Sequence, residues 1–173
     1  MSRHALPREV TPLKYADQGR SLSGVVALSS LPRLATVLEG EPVGAVEVEL
    51  LFTRDEQRQR LLKGSLHAHV NVVCQRCLEP VEIPVHSEFA LGIVLNDEQA
   101  RNLPRIYEPL MTEPERMDLF EVVEEELLLS LPMFAYHEHC RIGGSAEMER
   151  SEPAEPAVEK PNPFSVLSVL KKQ

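Results

Sequence analysis

Residues 65–86 read Ser65-Leu66-His67-Ala68-His69-Val70-Asn71-Val72-Val73-Cys74-Gln75-Arg76-Cys77-Leu78-Glu79-Pro80-Val81-Glu82-Ile83-Pro84-Val85-His86. Leu66, Ala68, Val70, Val72 and Cys74 fall on alternate positions, and Val81, Ile83 and Val85 resume the alternation after Pro80. A period of two sends successive side chains to opposite faces of a strand, so the segment predicts a β-hairpin with one apolar and one polar face. Pairing apolar residues across the hairpin predicts Val70 opposite Val85, Val72 opposite Ile83 and Cys74 opposite Val81. On the polar face His69 then meets His86, and His67 meets Glu88. Pro84 has no N–H to give and belongs at a non-bonding position or beside an open edge.

The alternation spreads outward from this hairpin. Val46, Val48, Leu50 and Phe52 oppose Glu47 and Glu49, which predicts another strand with one wet face. Phe89, Leu91 and Ile93 prolong the second arm. Short links between these strands predict an antiparallel meander. Leu22, Gly24, Val26 and Leu28 suggest a further short strand. Ser30 then reads as the N-cap of a helix carrying Leu31, Leu34, Ala35 and Leu38, stopped by Gly40. Residues 96–116 carry three Pro and no sustained period, and read as a long loop. Asp118 followed by Glu121 imitates a capping box, opening a helix to about Leu131. Phe120, Val123, Leu127 and Leu131 form its apolar face, and Glu121, Glu124 and Glu125 its wet face. The expected fold is α+β: a small antiparallel sheet with a Cys-x-x-Cys hairpin tip, packed by helices. The expected organisation is an extended arm over 1–20, the core over 21–140, a flexible acidic linker over 141–161 and a short helix over 162–173. The linker follows from Gly143-Gly144-Ser145 and a run rich in Glu and Pro, which leaves too little apolar surface to bury.

The chain has 173 residues, a net charge of −9, no Trp and 5% aromatic residues, so the core should be aliphatic. No apolar run approaches the ~20 residues of a membrane-spanning helix, and Met1–Leu6 lacks the apolar stretch of a secretion signal. Three Cys, an odd number, fit a reducing compartment better than a disulfide framework. The expectation is a soluble, cytoplasmic protein. Residues 1–100 carry 10 basic and 13 acidic side chains, and 101–173 carry 8 and 14. Such acidity argues against nucleic-acid binding by the whole surface, because phosphate contact requires basic side chains. One local exception is Arg54, Arg58, Arg60 and Lys63, with Arg76 in the Cys loop, as candidate RNA or partner contacts; an ordinary solvated connection is the competing reading.

Cys74 and Cys77 have the spacing with which one turn presents two thiolates to a tetrahedral ion. Candidates for the other half of a zinc site are Cys140 and either His137 or His139. Two hairpin thiols without an ion are the alternative. Redox motifs of this spacing usually open a helix, whose dipole lowers the thiol pKa, so a thiol oxidoreductase is a distant reading for a pair between strands. His67, His69 and His86 share the polar face and read as solvated, although cross-strand imidazoles can hold ions. No phosphate loop, dinucleotide fingerprint or His-Glu-x-x-His helix is present, and nothing points to an enzyme.

Three blocks give the chain a family likeness: Cys74-Gln75-Arg76-Cys77, Leu131-Pro132 followed by Glu138-His139-Cys140, and Lys160-Pro161-Asn162-Pro163-Phe164. In order and spacing they resemble the YceD family, bacterial proteins named for large-subunit ribosomal RNA accumulation. Tyr107-Glu108-Pro109-Leu110 resembles the segment before that family's acidic helix. The resemblance implies a second cysteine cluster consistent with a four-thiolate zinc site; here one Cys and two His stand in its place. It also implies a non-enzymatic ribosome-biogenesis factor supporting synthesis, processing or stability of large-subunit (23S) ribosomal RNA. The expected partner is that RNA, directly or through ribosomal or RNA-processing proteins, with no membrane or small-molecule substrate. The alternative is a direct RNA-binding zinc module. The C-terminal segment resembles the family's ending. Asn162-Pro163 reads as a helix start, and Phe164, Leu167 and Leu170 make an apolar stripe suited to docking.

Overall fold

The computed structural model describes residues 5–140. The elements run β1 (Glu9–Val10), α1 (Pro12–Gln18), β2 (Ser21–Ala27), α2 (Pro32–Ala35), β3 (Ala45–Arg54), β4 (Arg60–Val73), β5 (Pro80–Val94), α3 (Asp97–Asn102), β6 (Glu108–Met111), β7 (Met117–Asp118) and α4 (Leu119–Ser130). A five-stranded sheet has the order β2-β3-β4-β5-β6, and β1 pairs with β7 as a separate ribbon. The class is α+β. The sheet is antiparallel except at β6, which joins β5 in parallel after the crossover through α3.

The alternating residues fall as the period requires. Val46, Val48, Leu50 and Phe52 of β3, Leu62, Leu66, Ala68 and Val70 of β4, and Val85, Leu91 and Ile93 of β5 are buried in one core. Leu119, Val122, Val123 and Leu127 cover that face from α4, and Ala16 from α1. Tyr15 of α1 meets Phe52 edge-on, with ring centroids 5.4 Å apart. The opposite sheet face is wet along most of its length. At one end Leu61 and Val94 are buried there too, and Leu103 presses so closely on Gly92 that a Cβ at Gly92 would lie 2.5 Å from a Leu103 methyl.

Several expectations are corrected. The hairpin pairs Ala68 with Val85, Val70 with Ile83 and Val72 with Val81. That register lies two residues from the expected one. Both place the same residues in the core, because the side-chain period is two. His67, not His69, therefore faces His86, and His69 faces Pro84. Pro84 lies in the part of β5 that β6 does not reach, an open edge among the described residues. Residues expected in an extended arm form β1 and α1. Pro12 starts α1, where its missing N–H costs nothing, and Gly19 ends it in the left-handed conformation at φ 62°. The helix expected from Ser30 is only Pro32–Ala35, preceded by a 3-10 turn over Leu28–Ser30. The long loop contains α3, capped by the Asn96 side chain accepting from the Gln99 N–H, and β6.

Asp118 caps α4 as expected, its carboxylate accepting the Phe120 N–H at 2.8 Å. On the expected wet face of α4, Glu121 and Glu125 are exposed as expected, but Glu124 is not. Glu124 is buried, and its Oε1 accepts the backbone N–H groups of Arg33 at 2.6 Å and Leu34 at 3.0 Å. It thus satisfies two of the unpaired donors that open α2. Glu125 beside it pairs with Arg33 at 2.6 Å in the open. The linker expected over 141–161 and the docking helix with Asn162, Pro163, Phe164, Leu167 and Leu170 lie outside the described residues.

Candidate metal centre

The β4–β5 connection turns tightly over residues 74–79. The Leu78 N–H reaches back to the Cys74 carbonyl at 2.9 Å, and the Cys74 N–H bonds the Glu79 carbonyl at 2.9 Å. Leu78 holds φ 64°, a left-handed conformation that a branched side chain rarely takes, as the turn brings Cys77 round toward Cys74. The other half arrives from the segment after α4. Ala135 is buried against Cys74 and Val81, its carbonyl accepting the Gln75 N–H at 2.9 Å. Gln75 Nε2 also donates to the Met133 carbonyl at 3.2 Å. With residues 133–137 fixed along the turn, a bend at Glu138–His139 brings Cys140 back to the cluster.

Cys74, Cys77, His137 and Cys140 converge there, with donor atoms all within 4.8 Å of one another. Cys74 Sγ lies 3.7 Å from Cys140 Sγ, and Cys77 Sγ lies 3.3 Å from His137 Nδ1. A tetrahedral zinc with Zn–S near 2.3 Å and Zn–N near 2.05 Å would set those edges at ~3.8 and ~3.6 Å. The two short edges therefore match an ion at the centre, and the widest must close by about 1 Å. Three thiolates and one imidazole suit zinc, and with an ion bound all four tetrahedral positions would be filled by protein.

The electrostatics favour the thiolate at Cys74. Burial alone would push the Cys74 thiol up, but backbone N–H groups of Cys77, Arg76 and His137 point at its sulfur and bring it down to about 5. The Glu79 N–H draws the Cys77 thiol down, but burial and the neighbouring Cys74 and Cys140 sulfurs outweigh it and push the thiol up. A divalent ion between these sulfurs would relieve that repulsion. Arg76 Nε donates to Cys140 Sγ at 3.0 Å, and its Nη2 to the His137 carbonyl at 2.5 Å. The guanidinium thereby offsets the excess negative charge that three thiolates would leave on a divalent centre.

Of the residues expected at a metal site, His139 stands apart, exposed and outside the four-donor group. The expected basic contacts do not form one surface. Arg54 and Arg60 both close on Asp17, with Arg60 Nε 2.7 Å from its Oδ1. Hydrogen bonding from Arg60, then Arg54, overcomes partial desolvation and lowers the Asp17 carboxyl to about 2. Arg58 sits in the β3–β4 turn at φ 63°, and Lys63 is exposed on β4. Arg76 is at the other end of β4, roughly 45 Å of strand away at ~3.3 Å per residue. Sequence reasoning overlooked Gln75 as the side chain that ties the turn to residue 133; only its place inside the Cys pair hinted at a role. It also missed the exposed apolar strip beside the site. Met133 is 83% exposed, Leu78 73%, Phe134 58% and Tyr136 51%. The Phe134 and Tyr136 rings stand near-parallel at 6.4 Å, and the Arg76 guanidinium lies 5.9 Å from the Tyr136 ring centroid.

Fold and site together define a small α+β protein whose longest hairpin ends in a Cys3His group that could hold a metal ion. The family model described as "Large ribosomal RNA subunit accumulation protein YceD" matches residues 62–171, a span that includes all four donors. The chain belongs to the YceD family. It is similar over its whole length to the Large ribosomal RNA subunit accumulation protein YceD of Haemophilus influenzae, at 37% identity over 176 residues and 100% of each chain. No solved structure matches it. No helix among the described residues is long and apolar enough to cross a membrane.

Proposed function

We propose that this protein is a non-enzymatic, cytoplasmic factor supporting the accumulation of large-subunit ribosomal RNA, and that it acts by binding. The observation that carries this reading is the 37% identity across the whole of both chains to a relative named for that role. The metal centre supports a binding role. Residues Cys74, Cys77, His137 and Cys140 would hold zinc with no position left for a substrate or water, the arrangement of structural rather than catalytic sites. The ion would fasten residues 133–140 to the hairpin tip and so present Met133, Phe134 and Tyr136 to a partner. Glu79 and Glu138 flank that strip, and Arg76 is engaged with Cys140 and His137. An apolar strip rimmed by carboxylates suits a basic protein of the large subunit better than bare RNA. Direct RNA contact through Arg76 and the 54–63 cluster is the weaker reading, since Asp17 occupies two of those arginines.

Deleting the gene tests the proposal. Mature large-subunit RNA should fall relative to small-subunit RNA on sucrose gradients. Wild-type protein should restore the ratio, and Phe134→Ser/Tyr136→Ser protein should restore it less well. An unchanged subunit ratio on deletion refutes the role. Full rescue by the double variant refutes the strip as the contact.

A further inference from the structure

On the wet face of the sheet, far from the cysteines, the register sets Glu47, His67 and His86 in one row across β3, β4 and β5. The two imidazoles are exposed and stacked, with ring centroids 4.2 Å apart and planes 26° apart. Their Nδ1 atoms lie 3.1 Å apart. Two neutral rings meeting through Nδ1 share one proton or oppose two lone pairs. A divalent ion bound at ~2.0–2.1 Å from each nitrogen requires about 2.9 Å between them at a right-angled bite and about 3.4 Å at a tetrahedral one. The observed separation falls between these limits. His86 Nε2 faces a Glu88 carboxylate oxygen at 3.4 Å. That carboxylate places a negative charge beside the imidazole pair, which favours a bound cation. Both rings rise from paired positions on the two longest strands, so the chelate is held by the sheet rather than by a mobile loop.

We propose that His67 and His86 form a second divalent-metal site of the imidazole–carboxylate class, independent of the cysteine centre. The donors are His67 Nδ1 and His86 Nδ1. Turning each exposed ring out of the stack about its Cβ–Cγ bond brings both in-plane lone pairs onto one ion. Glu88 adds negative charge beside the site, and water completes the coordination. Nitrogen donors with water suit zinc or nickel better than magnesium or calcium, which prefer oxygen.

The test uses the full chain, titrated with zinc and followed by imidazole 15N shifts and by calorimetry, in wild type, His67→Ala, His86→Ala and Glu88→Gln. All three positions are exposed, so unchanged near-ultraviolet circular dichroism will show that the variants fold. Wild type should take up an equivalent of zinc that shifts the Nδ1 resonances of His67 and His86 together. Either alanine variant should weaken this step at least tenfold, and Glu88→Gln should weaken it severalfold. The His67-dependent step should persist in Cys74→Ser protein, which separates it from the cysteine site. Equal zinc uptake by wild type and both alanine variants overturns the proposal. So do Nδ1 resonances that stay in place on adding zinc, the behaviour of two rings that share only a proton, and so does binding seen only at millimolar zinc and insensitive to both alanines.

Discussion

The two ends of the hairpin are held by different means. Toward the β3–β4 turn, β4 and β5 lie in a sheet with β3 on one side and β6 on the other, beneath α1 and α4. Apolar area stabilises that end. At the tip, the buried cluster is only Cys74, Val81 and Ala135, edged by half-buried Val72, Cys77, Ile83 and Cys140. Three small or sulfur-bearing side chains supply little hydrophobic area, so that end depends on its donors. One chain thus joins a region stable through area to one that a bound ion would hold through coordination, and each should fail without dragging down the other.

Emptying the main core should have the largest effect. Phe52 is fully buried toward the end of β3, and Phe52→Ala should cost about 3–5 kcal/mol, read from chemical denaturation, with every probe moving together. Zinc binding by the surviving folded fraction should be unchanged. A loss of metal in that fraction would mean that the two ends are one unit.

Glu124→Ala comes next, at about 3 kcal/mol. It removes a charged acceptor and strands the Arg33 and Leu34 N–H groups beneath α4. Glu124→Gln keeps an oxygen in place and should cost about 1 kcal/mol. Equal, negligible costs for both would show that the carboxylate is merely solvated.

Cys140→Ser should abolish stoichiometric zinc at the cysteine cluster while lowering global stability only slightly. Hydrogen exchange should speed up over residues 74–83 and 133–140 and stay unchanged in β3. Uniformly faster exchange would break the contrast between the two ends.

Glu126→Gln should give the smallest effect, and in the opposite direction. Burial chiefly, with Glu108 and Glu125 nearby, raises the Glu126 carboxyl. Its native pKa then exceeds the unfolded one, so ionisation at neutral pH works against folding, and stability returns as pH falls through the raised value. The variant should gain less than about 1 kcal/mol at neutral pH, and the gain should vanish on acidification. Thermal melts of both proteins at several pH values check this.

Much of the sheet was legible because β3, β4 and β5 are wet on one face, which writes a period of two into the sequence. The same period hid the register. A slip of two residues keeps every core residue in the core, and only the six-residue turn at 74–79 decides between the alternatives. α1 was missed because Pro7 and Pro12 read as extended chain, although Pro12 stands where a helix begins. Glu124 was misread because a glutamate on a helix advertises solvent, while its partners are backbone groups some ninety residues away. At the metal site, the Cys74–Cys77 spacing was local and therefore readable. The choice of His137 over His139 was not, because it depends on Gln75 and Ala135 locking the incoming segment before its bend.

The β1–β7 ribbon bears on how the chain is made. Val10 pairs with Met117, Glu9 with Asp118, and the Arg8 carbonyl accepts the Leu119 N–H at 2.8 Å. During synthesis β1 therefore waits for partners more than a hundred residues behind it. At ~5–20 residues per second the delay is roughly 5–20 s. Throughout that interval Leu6 and Val10, buried in the finished protein, are without their final cover. The nascent β1 segment is thus a sticky stretch, closed only when the start of α4 emerges, and a chaperone acting on this chain would find its work there.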